Sequence, residues 1–305
     1  MLKVCLLAPG GMMPLPNRYL TSTVMICNES MILLDCGEGT QILLKKLKWG
    51  FKAIDVICIT HYHADHIAGL PGLLSTIGNS NRTEPITIIG PKGLRKIING
   101  LTVIIPELPY ELNLIEIEED EIRDFKHKEY SISAVIGEHS IPCMAYSIEI
   151  NRKRKFDRLR AEANDIPRRL WSSLQRGESS DFEGKIFTPD MVLGEERKGL
   201  KISYCTDSRP VTRLVKFIKG SDLFIGEGMY GEDSYLEKAE KNGHMLFSEC
   251  AKLAREGEVK ELWLTHFSPL LQKPEEFLYY ATDIFENTKL GEELMIKELA
   301  FQEEK

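Results

Sequence analysis

The 305-residue sequence contains no apolar run near the roughly 20 residues that a membrane-spanning helix needs. It also lacks any CxxC pair. Its seven cysteines (5, 27, 36, 58, 143, 205, 250) stand singly, mostly in apolar surroundings. An odd, dispersed set argues for reduced thiols and a cytoplasmic home. Internal repeats and low-complexity tracts are absent. Positive charge is in short supply: 39 Lys and Arg against 46 Asp and Glu give −7, which taken alone argues against a nucleic-acid partner. The opening, MLKVCLLAPGGMMP, breaks at Pro9-Gly10-Gly11 and reads as a strand and a turn rather than a signal peptide. What remains is the composition of a soluble globular chain, long enough to bury the core of one large domain or two.

The negative charge is unevenly spread. Residues 151–176 hold nine basic and three acidic side chains, a net of +6, so the rest of the chain stands at −13. Either a solvated helical face or an electrostatic handle explains such a run. Strand-like runs fall near 2–7, 21–27, 31–35, 55–60, 86–90, 112–118, 129–136 and 144–150, then near 200–204, 221–226 and 260–265. Helical periodicity fits 38–48, 66–78, 92–100, 210–219, 234–241, 246–256 and 273–287. A run of early strands followed by alternating strands and helices predicts two mixed sheets packed together with helices outside, an α/β (α+β) architecture. Residues 151–199 have few periodic apolar positions and several glycines. They read as an insertion projecting from the domain.

Seven histidines serve the whole chain, and three fall within ITHYHADHIAGLPG, residues 59–72. Burying four adjacent polar groups without partners costs several kcal/mol, about 2–7 for each. His61, His63, Asp65 and His66 therefore need a shared partner. Imidazole and carboxylate both bind zinc-like ions. On extended backbone His61 and His63 point the same way, and the following turn sends Asp65 and His66 toward a second site. The box lies where a strand ends and a helix begins, a frequent location for chemistry in open α/β sheets. His139, Asp207 and His266 each follow a strand-like run and can reach the same rim; a carboxylate such as Asp207 can bridge two ions. His127, among charged neighbours in FKHKEY, reads as an ordinary surface histidine.

These segments carry a resemblance. LLDCGEGTQ (33–41), THYHADHIAGLPGLL (60–74), EHSIPCMAY (138–146), YCTDSRP (204–210), GEGMY (226–230), NGHM (242–245) and LTHFSP (264–269) occur in the order found in metallo-β-lactamase-fold hydrolases. Within that superfamily the sequence resembles bacterial ribonuclease Z, the tRNA 3′-processing endonuclease. The histidine box points only to the superfamily; Glu227, His244 and the inserted segment point to ribonuclease Z.

The resemblance implies a four-layer αββα sandwich spanning 1–305, with 151–199 as a flexible tRNA-binding arm. It implies two Zn²⁺ ions per chain, with Mn²⁺ or another divalent ion as alternatives. His61, His63 and His139 would hold one ion and Asp65, His66 and His266 the other, bridged by Asp207. Asp35 would orient the site from behind the ligands. Asp65 would also direct the attacking hydroxide, and Glu227 with His244 would assist the leaving group. Precursor tRNA would be cut to a 3′-hydroxyl and a 5′-phosphorylated trailer, in the cytoplasm, by a homodimer with no membrane association. Arg152, Lys153, Arg154, Lys155, Arg158, Arg168 and Arg169 would contact RNA phosphates, while Trp171 would stack on a base or pack inside the arm. Three departures accompany the match: no Gly-Pro tip in NDIPRRLWSS, Thr206 and Ser208 flanking Asp207, and Leu270-Leu271 in place of a basic-aromatic pair. A related hydrolase acting on a small phosphodiester or a lactone, and a non-catalytic RNA-binding relative, are the competing readings; the intact box disfavours the second of these.

Overall fold

The protein is described by a computed structural model covering residues 1–302 apart from Pro106, Glu119 and Asp120. It divides into two compact units, residues 1–149 with 200–302, and residues 150–199. The larger unit begins with β1 (Leu2–Ala8), β2 (Ser22–Cys27) and β3 (Ser30–Leu34), joined as antiparallel neighbours. Next come α1 (Thr40–Leu47), β4 (Ile54–Cys58), the single turn α2 (Ala64–Ile67), α3 (Leu70–Gly78), β5 (Ile86–Pro91), α4 (Leu94–Thr102) and β6 (Leu112–Ile117). From β3 to β6 the strands run parallel, as helical crossovers require.

The second sheet starts with β7 (Glu121–His127), β8 (Tyr130–Ile136) and β9 (Met144–Arg152). Within 150–199 lie α5 (Arg158–Ala163), α6 (Trp171–Gln175) and the hairpin β10 (Ser180–Phe182) with β11 (Lys185–Phe187). The chain then continues through β12 (Arg197–Cys205), α7 (Thr212–Ile218), β13 (Leu223–Glu227), α8 (Leu236–Asn242), α9 (Phe247–Glu256), β14 (Leu262–Thr265), α10 (Tyr279–Thr282), β15 (Thr288–Leu290) and β16 (Met295–Leu299). The sheets have the orders β16-β1-β2-β3-β4-β5-β6 and β15-β14-β13-β12-β9-β8-β7. This is the expected pair of mixed sheets flanked by helices.

Alternation explains the layers. Cys5, Leu7, Val24, Met31 and Leu33 pack with Leu43, Leu73, Leu74 and Ile98 of α1, α3 and α4. The intervening Val4, Leu6, Met25, Ile32 and Leu34 are equally buried on the opposite face. There Tyr130 of β8 bonds to Cys27 and Ser30, and Tyr146 of β9 bonds to the Ile59 carbonyl at 2.8 Å, tying one sheet to the other. Helices α7, α9 and α10 cover the far side of the second sheet.

Several elements depart from the sequence reading. The helix expected over 66–78 is interrupted after Ile67, and a new one starts at Leu70. Gly69 lies so close to the Gly37 carbonyl that a side chain has no room there. The helix expected over 273–287 is a 3₁₀ turn at Pro274–Phe277 followed by the short α10. Strands β7, β10, β11, β15 and β16 were not anticipated. Of these, β7, β15 and β16 are sheet edges, where charged side chains face water and blur the apolar alternation. Residues 150–199, read as poor in core, bury Ala161, Ile166, Leu174, Phe187 and Val192 against Phe156 and Trp171.

Candidate metal centre

Strand ends of both sheets converge here. Leu34 closes β3 and delivers Asp35; Cys58 closes β4 and leads to Thr60 and His61. Cys205, Glu227 and Thr265 end three neighbouring parallel strands and present Asp207, Glu227 and His266. Asp35, Asp207 and His266 have φ of 55°, 49° and 61°. This left-handed backbone ends each strand in a sharp turn. The glycine-rich loop 9–13 is laid against the segment after β14, with Gly11 N–H donating to the Phe267 carbonyl at 3.0 Å. A Cβ on Gly11 would lie 2.7 Å from the His266 ring.

Three overlapping groups of ligand atoms result: His61, His63, His139 and Asp207; Asp65, His66 and His266; and Asp207, Glu227, His244 and His266. Within each group the atoms lie within 4.8 Å of one another. His61 Nε2 is 3.0 Å from His63 Nδ1, which is 3.3 Å from His139 Nε2. His66 Nε2 is 3.1 Å from His266 Nε2, and these two nitrogens are 3.1 and 3.2 Å from Asp207 Oδ1. Asp65 Oδ2 is 3.2 Å from His266 Nε2 and accepts from the Met12 backbone N–H at 2.6 Å. His127 lies elsewhere, half-buried and 3.6 Å from Asp55.

Support from behind is continuous. Asp35 accepts from the Thr60 N–H at 2.8 Å, the Thr60 hydroxyl at 2.9 Å and the Tyr204 hydroxyl at 3.0 Å, and pairs with His66 Nδ1 at 2.8 Å. The Thr60 hydroxyl also sits 3.0 Å from His61 Nδ1. His139 Nδ1 is held by the Gly243 carbonyl at 3.0 Å. Glu227 accepts from the Asp207 and Met245 N–H groups and pairs with His244 Nδ1 at 2.6 Å. Arg209 grips Glu249 and the His244 carbonyl. Thr60, Tyr204, Gly243 and Arg209 were not singled out from the sequence, and Gly11 was read only as part of the turn after the first strand. A hydroxyl directly before the box and a tyrosine inside the apolar run ISYC were the available signals.

Electrostatics favour a bound cation. Burial, aided by the nearby His66, pushes the His61 imidazole well down, and burial with His139 lowers His63, so both are neutral donors. Burial would raise Asp207, but His266, His66 and His61 outweigh it and hold the carboxyl well below its ordinary range. Burial likewise opposes, and Asp207, Asp65 and Glu227 overcome, a rise of His266 to about 10. Asp35, Asp65, Asp207 and Glu227 are four buried carboxylates that demand positive charge at their centre. Asp207 Oδ1 is buried and accepts no hydrogen bond, despite the two imidazole nitrogens beside it. An orphaned oxygen amid converging ring nitrogens is a fitting donor set for divalent metal.

Two mixed sheets flanked by helices, with such a cluster at their strand ends, are the architecture of the metallo-β-lactamase fold. The metallo-β-lactamase fold protein YhfI from Bacillus subtilis shares the architecture: TM-score 0.70, covering 98% of this chain and all of that one, at 18% identity. A family model described as anti-Pycsar protein Apyc1 matches residues 5–153. Human tRNase Z, short form, superposes with TM-score 0.70 at 26% identity, covering 98% of this chain and 100% of that one. A curated relative named ribonuclease Z, from Clostridium acetobutylicum, is 54% identical over 99% of both chains. The chain belongs to the ribonuclease Z family and is a metal-dependent endoribonuclease of that type.

Proposed function

We propose that the chain removes the 3′ trailer from precursor tRNA, with two Zn²⁺ ions held in the cluster. The reading is carried by the Glu227–His244 pair, hydrogen-bonded at 2.6 Å with His244 Nδ1 3.7 Å from Asp207 Oδ2. His61, His63 and His139 would hold one ion, Asp65, His66 and His266 the other, and Asp207 both. Bound there, the pair supplies an acidified water and neutralises phosphodiester charge. Asp65 orients the water and takes its proton. Water oxygen bonds to phosphorus as the bond to the ribose 3′-oxygen breaks. His244, fixed by Glu227, donates a proton to that oxygen. The tRNA is left with a 3′-hydroxyl and the trailer with a 5′-phosphate.

Residues 150–199 are the unit for gripping the tRNA. Lys153, Lys155, Arg158, Arg168 and Arg169 are exposed there. Arg154 is instead tied to the Gly194 and Leu193 carbonyls and Asp190, so its role is to hold the unit together. Trp171 packs on Phe156 and donates to the Ile166 carbonyl, which supports an internal role rather than base stacking. We further propose a cytoplasmic homodimer. Buried, unpaired thiols support the compartment, and among the described residues no helix is long and apolar enough to cross a membrane. The decisive experiment is incubation with a 3′-extended tRNA precursor, with and without a chelator. Cleavage abolished by chelation and restored by Zn²⁺, with those two ends, is expected. A cyclic phosphate product, or an inert protein with an active small-diester centre, would overturn the reading.

A further inference from the structure

Arg209 follows the bridging Asp207 by two residues and ties its loop to the turn that carries His244. Its guanidinium meets both oxygens of Glu249, at 2.8 and 2.5 Å, and the His244 carbonyl at 2.5 Å. Both side chains are largely buried, 14% and 13% exposed. Glu249 also accepts from the Leu246 N–H at 3.0 Å, at the start of α9. A helix cap accounts for Glu249 but not for the bond from Arg209 to the His244 carbonyl. That bond clamps one peptide from both ends. The oxygen of the 244–245 peptide is held by Arg209, and its N–H by Glu227 at 2.5 Å. The peptide before it has other anchors: the Gly243 carbonyl meets His139 at 3.0 Å, and the His244 N–H donates to the Ala239 carbonyl at 2.9 Å.

Two consecutive peptides therefore serve two different groups. The first supports the candidate ligand His139, and the second sets the direction of the His244 ring. Glu227 takes the His244 ring, the Met245 N–H and the Asp207 N–H on two oxygens, so it does not fix the 244–245 peptide alone. We infer that Arg209 is a positioning residue: its side chain holds His244 where the ring meets the departing ribose oxygen, and takes no part in holding metal. The inference rests on the function proposed above, in which His244 donates to that oxygen. The Asp207 loop has backbone support that a change of the Arg209 side chain leaves in place. The Arg209 N–H donates to the Glu138 carbonyl at 2.8 Å, and Ser208 Oγ accepts from the Glu138 N–H at 2.9 Å. Nor is the guanidinium free to grip RNA, because its charge is matched by Glu249 in a bidentate pair.

Two substrates separate this role from a merely structural one. Cleavage of precursor tRNA expels a ribose alkoxide, which needs a proton. Bis(p-nitrophenyl) phosphate expels a phenolate that is stable without one. In single-turnover rates at saturating enzyme, Arg209→Gln should lose at least about tenfold more on the precursor than on the diester, the scale of a misplaced catalytic group. Its metal content by atomic absorption should match the wild type. The two losses are compared within one preparation, so a misfolded fraction cancels. Glu249→Gln loosens the same clamp and should show the same skew to a smaller extent; it decides the question if Arg209→Gln fails to fold. In a His244→Ala background, Arg209→Gln should slow precursor cleavage by less than about twofold more, because the group it positions is already gone. Equal losses on both substrates, loss of metal, or an undiminished further loss in the His244→Ala background would overturn the inference and leave tRNA cleavage standing. A wild type that hydrolyses the diester but leaves the precursor uncut would overturn both.

Discussion

Gly11 carries no side chain because the His266 ring fills the space one would need. Gly11→Ala should therefore push His266 from its place, lowering bound metal measured by atomic absorption and slowing cleavage at least about tenfold, since sub-ångström misplacement in a site is costly. Full metal content in that variant would show that the crowding relaxes elsewhere. His244→Ala makes the opposite separation. It should keep the bound metal while cleavage falls ~10²-fold or more, the usual scale for losing an acid or oxyanion donor. An emptied centre by the same metal analysis would make His244 a ligand instead. The sequence revealed most of the cluster because its polar members stand directly after apolar runs; His244, in KNGHM, came only with the family resemblance. It concealed Thr60, Tyr204 and Gly243, and showed Gly11 only as a turn residue, because their part depends on partners that only folding brings near. His139 and Gly243 are 104 residues apart in the chain, and Tyr204 and Asp35 are 169 apart.

At the level of elements, the cations of 150–199 fall into two kinds. Lys153 and Lys155 are exposed, whereas Arg154 is spent on backbone carbonyls. Lys153→Glu with Lys155→Glu should weaken binding of precursor tRNA and flatten its dependence on salt, by ~0.7–0.9 in log–log slope for each phosphate no longer neutralised. Filter-binding titrations between low and moderate salt decide this; an unchanged slope would place the RNA elsewhere. Arg154→Ala should instead lower the melting temperature, because the Gly194 carbonyl and Asp190 lose the Arg154 donor and the Leu193 carbonyl keeps only Arg160. The small core of this unit escaped the sequence reading because Ala161, Ile166, Leu174, Phe187 and Val192 share no period. The inner strands were legible because both their faces are buried, giving runs such as SMILL and IDVIC. The edge strand MIKEL instead leaves Ile296 exposed and turns Lys297 in toward Glu261, so no apolar alternation marks its inner side.

Across the whole molecule, stability should fall in acid for a reason unconnected with the metal centre. Asp55 is buried, and burial would raise its pKa. The neighbouring His127, 3.6 Å away, and hydrogen bonds from Lys128, Ser30 and the buried Arg82 outweigh that and depress it. A carboxyl depressed in the folded state stabilises fully above its unfolded value, about 4, and that contribution is lost as pH falls through the folded value. Urea unfolding of the wild type should therefore weaken steadily below about pH 4. Asp55→Ala should be less stable at pH 7 by roughly 3–5 kcal/mol, as when a buried ion pair loses one partner, and should lose less on acidification; an equally steep acid limb would assign the effect to other carboxylates. The catalytic cluster has its own global consequence. Asp35, His61, His63, Asp65 and His66 come from the first sheet and its loops, His139, Asp207, Glu227 and His266 from the strand ends of the second, and His244 from the turn after α8. A growing polypeptide thus holds Asp65 and His66 without the third member of their group until His266 is made, 200 residues after His66. Any chain broken off before His266 lacks a member of two of the three ligand groups, so the centre is assembled from sequence positions that translation supplies far apart in time.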